Sequence, residues 1–251
     1  MPDLPYRDFY FPLNVFMHIL TLEEGSVSYL HYGLFEREGE SIAEAQERST
    51  AMLFERLPPA PATLLDVGIG LATTLARLTS NGYHAIGITP DEKQVAAAHE
   101  RHGELPIACV EFEHFESHEP FDVVIFQESS QYIESETLFE RARRLTHRII
   151  VLDEFAMDNA RVASALPLLD EFLIAAQSCG LALTENLDLT AKAAPTIGYF
   201  IDRIPRYRDR IISDLGLTEK QVDDLLESGK TYRSMYASGV YAYRLLQFSR
   251  S

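Results

Sequence analysis

The stretch Asp66-Val67-Gly68-Ile69-Gly70 is where residue types and spacing most clearly imply chemistry. Glycine lacks a Cβ, so two glycines one residue apart let a turn approach a bound molecule closely. The turn follows the apolar run Thr63-Leu64-Leu65 and precedes a helical pattern from Leu71 to Leu78. Such a turn lies at the carboxyl edge of a parallel sheet, where open α/β folds bind ligands. Asp66 ends the buried run without a basic neighbour in sequence. A buried, unpaired carboxylate is costly, which favours a positively charged ligand over a structural role. A dinucleotide turn calls for Gly or Ala at its sixth position and an acid closing the second strand. Thr73 and Thr89 stand there instead, which disfavours a dinucleotide-dependent oxidoreductase. The other polar stretch at a strand end is Gln127-Glu128-Ser129-Ser130-Gln131-Tyr132, directly after Phe121–Phe126. Glu128 has the chemistry of a general base, or of an anchor for a cationic or hydroxylated molecule. Tyr132 and His31 are secondary candidates for the same pocket.

These residues need a scaffold. Apolar runs bounded by Pro and Gly predict strands at 63–67, 85–88, 107–112, 121–126, 148–152 and 181–187, and an alternating run predicts a seventh at 240–248. Helical spacing predicts helices over 41–57, 71–78, 138–145 and 162–176. Thr89-Pro90-Asp91-Glu92 reads as a helix start, with Thr89 as cap, Pro90 at the first helical position and Glu92 completing a capping box. Strand and helix alternate through 62–188, which implies a mostly parallel sheet covered on both faces. The expected fold is therefore α/β and doubly wound, Rossmann-like, with seven strands. Residues 1–58, with Tyr6, Phe9, Tyr10, Phe11 and Phe16, are expected to form a helical and aromatic cap or lid, and residues 59–251 the ligand-binding domain. Within it, 190–238 is a mostly helical insertion expected to wall the substrate pocket.

Leu64-Leu65-Asp66-Val67-Gly68-Ile69-Gly70 resembles the first motif of class I S-adenosylmethionine (SAM)-dependent methyltransferases. Gly87-Ile88-Thr89-Pro90-Asp91-Glu92-Lys93-Gln94 is similar to the second-strand motif of the subgroup that includes cyclopropane fatty acid synthases. Phe121-Asp122-Val123-Val124, Tyr29-Leu30-His31-Tyr32-Gly33 and Gly239–Leu246 resemble the fourth strand, the segment ahead of the first motif, and the last, antiparallel strand of small-molecule members. The resemblance covers roughly residues 28–250, in order. It implies SAM as cofactor, held by Gly68, Ile69 and Gly70, with Asp66 on the ammonium and Thr89 and Gln94 on the ribose. His114 and Phe115 would flank adenine, although relatives usually carry a carboxylate where His114 stands. Gln127 would lie near the sulfonium, and Glu128 is similar to a Glu in the fourth motif of several carbon- and oxygen-directed members. His31, Tyr32, Tyr132 and Tyr199 are the candidate acceptor contacts, with Arg203 and Arg206 beside them. The implied activity is methyl transfer to a small molecule; a SAM-binding module without catalysis is the alternative.

The bulk composition narrows the partners. Formal charge is −16, from 38 acidic and 22 basic residues, and a field of that sign disfavours nucleic acid and anionic membrane surfaces. The Arg203–Arg210 cluster reads as a solvated helix face. Two cysteines outside any CxxC or Cys/His cluster give a zinc site no support. No run of 18 apolar residues and no basic-then-apolar leader occurs, so a cytoplasmic protein without a membrane span is expected.

Overall fold

In the computed structural model, which describes residues 4–157 and 166–250, the turn of interest leaves β1 (Thr63–Val67) at the middle of a seven-stranded sheet. The other strands are β2 (His84–Thr89), β3 (Ile107–Cys109), β4 (Val123–Gln127), β5 (Arg148–Ala156), β6 (Leu181–Asp188) and β7 (Tyr241–Arg250). Their order is β3-β2-β1-β4-β5-β7-β6. The first five run parallel, and β7 lies antiparallel between β5 and β6. The chain winds outward from β1 to β3, then returns to β4 and winds the other way. The crevice between the carboxyl ends of β1 and β4 is therefore the switch point, where such sheets bind ligands.

The central strands are apolar on both faces because helices cover both. On one face α5 (Ser135–Leu145) and α6 (Leu169–Ser178) enclose Phe126, Phe139, Phe155, Phe172 and Phe248. On the other, α3 (Thr73–Ser80) and α4 (Glu92–His102) pack over Leu64, Leu75, Leu78, Ala98 and Ile125. The amino-terminal helices are α1 (Leu13–Glu24) and α2 (Ile42–Phe54), and the insertion holds α7 (Thr190–Ala193), α8 (Pro195–Arg203), α9 (Arg208–Leu215) and α10 (Glu219–Ala237). The aromatic arm does not stand alone. Tyr6, Phe9, Val15, Ile19, Ile211 and Val222 share a core that joins α1 to α9 and α10, above the switch point.

Several boundaries differ from the sequence reading. Helix α3 begins two residues late because Ala72 takes a left-handed conformation, φ 58°, that prolongs the turn. Asp91, not Thr89, caps α4 by accepting from the Lys93 backbone N–H. Strand β3 stops at Cys109, and a 3-10 turn follows at Phe112–His114. Strand β5 runs four residues past Leu152, because β7 pairs with Asp153, Glu154, Phe155 and Ala156. Helix α6 starts at Leu169, and the part of the expected helix over 162–165 lies outside the described residues. Among the described residues no helix is long and apolar enough to cross a membrane.

Candidate functional site

The β1–α3 turn is built to come close to something. Gly68 sits at φ 79° and Gly70 at φ 52°, both in the left-handed region. A Cβ at Gly68 would lie 2.4 Å from Ser129 Cβ, and one at Gly70 would lie 3.3 Å from Leu30 Cδ1. The backbone N–H groups of Gly68 and Ile69 both donate to the Ile88 carbonyl, at 2.9 and 3.3 Å. These bonds tie the turn to β2. Asp66 is only 2% exposed, and its Oδ2 has no hydrogen-bond partner. Burial in a low-dielectric surround opposes its ionisation and pushes its pKa up to about 7. A buried carboxylate oxygen without a donor is an unmet demand for a positive group.

The turn opens on a cavity of about 800 Å³. Asp66, Gly68, Ile69, Gly70, Thr89, Gln94 and Gln127 all line it, as do Glu128, His31, Tyr32 and Tyr132. Thr89 Oγ1 donates to Gln94 Oε1 at 2.8 Å and accepts from the Asp91 N–H. Gln127 Oε1 accepts from Thr74 Oγ1 at 3.1 Å, while its Nε2 is buried without an acceptor. An unmet acceptor at Asp66 and an unmet donor at Gln127 therefore border one cavity.

Glu128 holds a left-handed backbone, φ 57°, an unusual conformation for a residue with a side chain. Its Oε1 accepts from the Tyr32 backbone N–H at 2.5 Å and from the Tyr243 hydroxyl at 2.6 Å. Burial, with the Glu154 carboxylate adding to it, drives its pKa well above the usual range. Behind it, Asp153 accepts from Ser130 N–H at 2.8 Å, Ser130 Oγ at 2.6 Å and Gln131 N–H at 3.3 Å, which fixes the loop after β4. Burial raises the Asp153 pKa to about 6, against those hydrogen bonds. Glu154, next along β5, lines the cavity and accepts from the hydroxyls of Tyr232, at 3.0 Å, and Tyr236. Burial lifts its pKa to about 7.

His31 touches the cavity, but both ring nitrogens are engaged, with the Tyr32 carbonyl and Thr50 Oγ1, each at 3.0 Å. Burial lowers its pKa to about 4, so the ring is neutral and positions Tyr32. Tyr32 in turn stacks on Tyr243, with ring centres 5.5 Å apart and planes 4° from parallel. Tyr132 stands at the rim, 74% exposed.

Three expected residues do not line the cavity. His114 points outward and pairs with Glu111 at 3.0 Å. Phe115 is buried against Phe121 in the core of the α5 face. Their places along the cavity wall are taken by Val110, Glu111, Phe112 and Glu113, because the early end of β3 and the turn after it rotate the chain. Tyr199 lies on the far side of α8, under the Arg203 guanidinium 3.5 Å from its ring centre. Ile197, Phe200 and Ile201 face the cavity instead. Arg203 and Arg206 both pair with Glu23, which leaves the basic cluster as a solvated, ion-paired face.

Sequence reasoning missed Glu154, Tyr232 and the carboxylates of Asp91, Glu111 and Glu113 on the lining. The Asp153-Glu154 pair interrupting an otherwise apolar strand was the available signal. Among the described residues, the lining carries six carboxylates and neither Lys nor Arg, and no group of three His, Cys, Asp or Glu side chains is placed to hold a metal.

Residues 65–148 match the family model described as a methyltransferase domain. No curated protein matches the chain in sequence. Solved structures match it over nearly its whole length at low identity. The cyclopropane synthase MmaA2 from Mycobacterium tuberculosis superposes with a TM-score of 0.81 at 15% identity, covering 98% of this chain and 96% of that one. The mycolic acid cyclopropane synthase CmaA1, complexed with SAH and CTAB, gives 0.80 at 16% identity, covering 100% and 99%. Geranyl diphosphate C-methyltransferase from Streptomyces coelicolor A3(2), bound to Mg2+, geranyl diphosphate and S-adenosyl-L-homocysteine, gives 0.66 at 15% identity, with both chains fully covered.

Proposed function

We propose that this chain is a SAM-dependent methyltransferase of the class I fold, which transfers the sulfonium methyl to a small organic acceptor held under the α1/α8 roof. Asp66 supports the reading most strongly: a carboxylate oxygen, buried and unpartnered, beside a glycine turn that has no room for a side chain. The residues present fit the cofactor. The ammonium of its methionine part would meet the demand at Asp66 Oδ2, and its carboxylate would be a matching acceptor for Gln127 Nε2. Thr89 and Gln94 offer neutral groups for ribose hydroxyls, and Glu111 and Glu113 are the acids available to an adenine amino group.

SAM brings a methyl group already activated by its sulfonium, so the protein's tasks are alignment and exclusion of water. Phe16 of α1 and Phe200 of α8 meet above the cavity, ring centres 4.7 Å apart, and close its apolar side. Tyr32, pinned by His31 and by Glu128, presents its ring to the same space. Glu128 is the base for an acceptor that must lose a proton, its buried carboxyl raised well above the usual carboxylate range and so a stronger proton acceptor.

Incubation of the protein with methyl-labelled SAM and a fractionated cell extract, followed by mass spectrometry, tests the reading. The label should appear on a compound of low molecular mass, and Asp66→Asn should abolish its appearance. Label confined to protein or nucleic acid would contradict it.

A further inference from the structure

We infer that the acceptor is an organic amine with an apolar body, its ammonium recognised by Glu128 and Glu154. The inference rests on the methyl-transfer reading above and names the substrate class of that site. Asp66 is assigned to the cofactor; Glu128 and Glu154 remain. Glu128 directly follows β4 and Glu154 lies in the last third of the adjacent strand β5, and Tyr32 joins them: its backbone N–H donates to Glu128 and its hydroxyl interacts with Glu154. Their other donors are hydroxyls, Tyr243 on Glu128 and Tyr232 and Tyr236 on Glu154. Hydroxyls solvate a carboxylate without neutralising it. Neither acid has a Lys or Arg partner among the described residues.

The whole lining repeats this imbalance. Among the described residues, six acids and no Lys or Arg face the cavity, and the one histidine there is neutral. A phosphate or carboxylate acceptor would meet no cation among the described residues and would further oppose ionisation of the buried acids around it. A cation reverses the balance: it favours ionisation of Glu128 and Glu154 and gains from both. The rings of Tyr32, Tyr232 and Tyr236 cluster at centre distances of 5.8 and 6.4 Å around Glu154, and aromatic faces attract an ammonium. Opposite them the wall is apolar, with Leu13, Phe16 and Leu20 from α1 and Ile197, Phe200 and Ile201 from α8. A charged head and a hydrocarbon body are thus matched at opposite sides of one space.

The chemistry balances. The bound ammonium passes one proton to a carboxylate, and the freed nitrogen lone pair forms the new N–C bond. The C–S bond breaks with its electron pair left on sulfur, and the carboxylate later releases its proton to water.

Hexylamine, hexanol and hexanoate share a chain length and differ in charge. Calorimetric titration of each into the full-length protein saturated with S-adenosylhomocysteine separates the classes. Hexylamine should bind at least tenfold tighter than hexanol, and hexanoate should give no binding. Glu154→Gln, which keeps the shape and loses the charge, should weaken hexylamine at least tenfold and leave S-adenosylhomocysteine affinity within twofold. Hexylamine binding no tighter than hexanol, measurable binding of hexanoate, or an unchanged hexylamine affinity in Glu154→Gln would overturn the inference while leaving the cofactor site standing. Failure of the wild-type protein to bind S-adenosylhomocysteine would overturn both readings.

Discussion

Asp66 carries a cost of burial that either a proton or a cation set against it relieves. Burial alone lifts its pKa to about 7, and a cation set against it would favour the ionised form. Binding is therefore linked to proton release, and S-adenosylhomocysteine affinity should rise about tenfold between pH 6 and pH 8, the factor that full ionisation across that midpoint supplies. Asp66→Asn should weaken binding by one to two orders of magnitude and flatten that slope, both read by titration calorimetry. Gly68 is a second residue with no tolerance. At φ 79°, with Ser129 Cβ 2.4 Å from where a methyl would sit, Gly68→Ala should cost about 1–3 kcal/mol in backbone strain alone. A thermal melt of that variant matching wild type would mean that the turn is not the tight cradle described. Glu128 and Glu154 differ from Asp66 in having hydroxyl donors, so their hydrogen-bond demand is partly met in the unliganded state.

At the level of elements, the strand ends place the chemistry and the loops aim it. Asp153 gathers two backbone N–H groups and a hydroxyl of the loop after β4. Asp153→Ala should leave those donors short of an acceptor, at a cost of about 1–3 kcal/mol, and slow methyl transfer at least tenfold because Glu128 loses its setting. Ser41→Ala is the matching control. It breaks the capping box with Glu44 at the start of α2, should cost about 1 kcal/mol in a melt, and should leave turnover unchanged. The strands themselves were legible, since an apolar run between Pro or Gly breaks is a local signal, and Asp66, Gly68, Thr89 and Gln127 inherit their places from strand ends. The misses have local causes. A third strand carried on to Phe112 keeps a two-residue alternation, whereas the 3-10 turn at Phe112–His114 swings His114 outward. Tyr199 is one residue from Phe200, about 100° around a helix, and periodicity alone does not say which face looks inward. Glu154 was hidden because two acids ended the apolar run, and the tyrosines that bury it arrive from α10, roughly eighty residues later.

Across the whole molecule, the sheet supplies a fixed edge, and α1 with α8–α10 roofs it. The roof's apolar seam at Phe16 and Phe200 predicts that Phe16→Ala raises the acceptor KM several-fold with little change in S-adenosylhomocysteine affinity. Three buried acids also set how stability varies with pH. Asp66, Asp153 and Glu154 have folded pKa values of about 7, 6 and 7, above those of the unfolded chain. The folded state therefore holds more protons between about pH 4 and pH 7, and these groups make the unliganded protein less stable as pH rises through that window, with no further loss above it. Melting temperature should fall from pH 4.5 to pH 7, and saturating S-adenosylhomocysteine should recover part of the loss at pH 7. The claim on which the rest stands is that the β1 turn and Asp66 form a SAM site, and titration of S-adenosylhomocysteine and NADH into the wild-type protein and Asp66→Asn tests it most directly. The account predicts one S-adenosylhomocysteine per wild-type chain, binding at least tenfold weaker to Asp66→Asn, and no heat from NADH; NADH binding in its place, or equal affinity in both proteins, would contradict it.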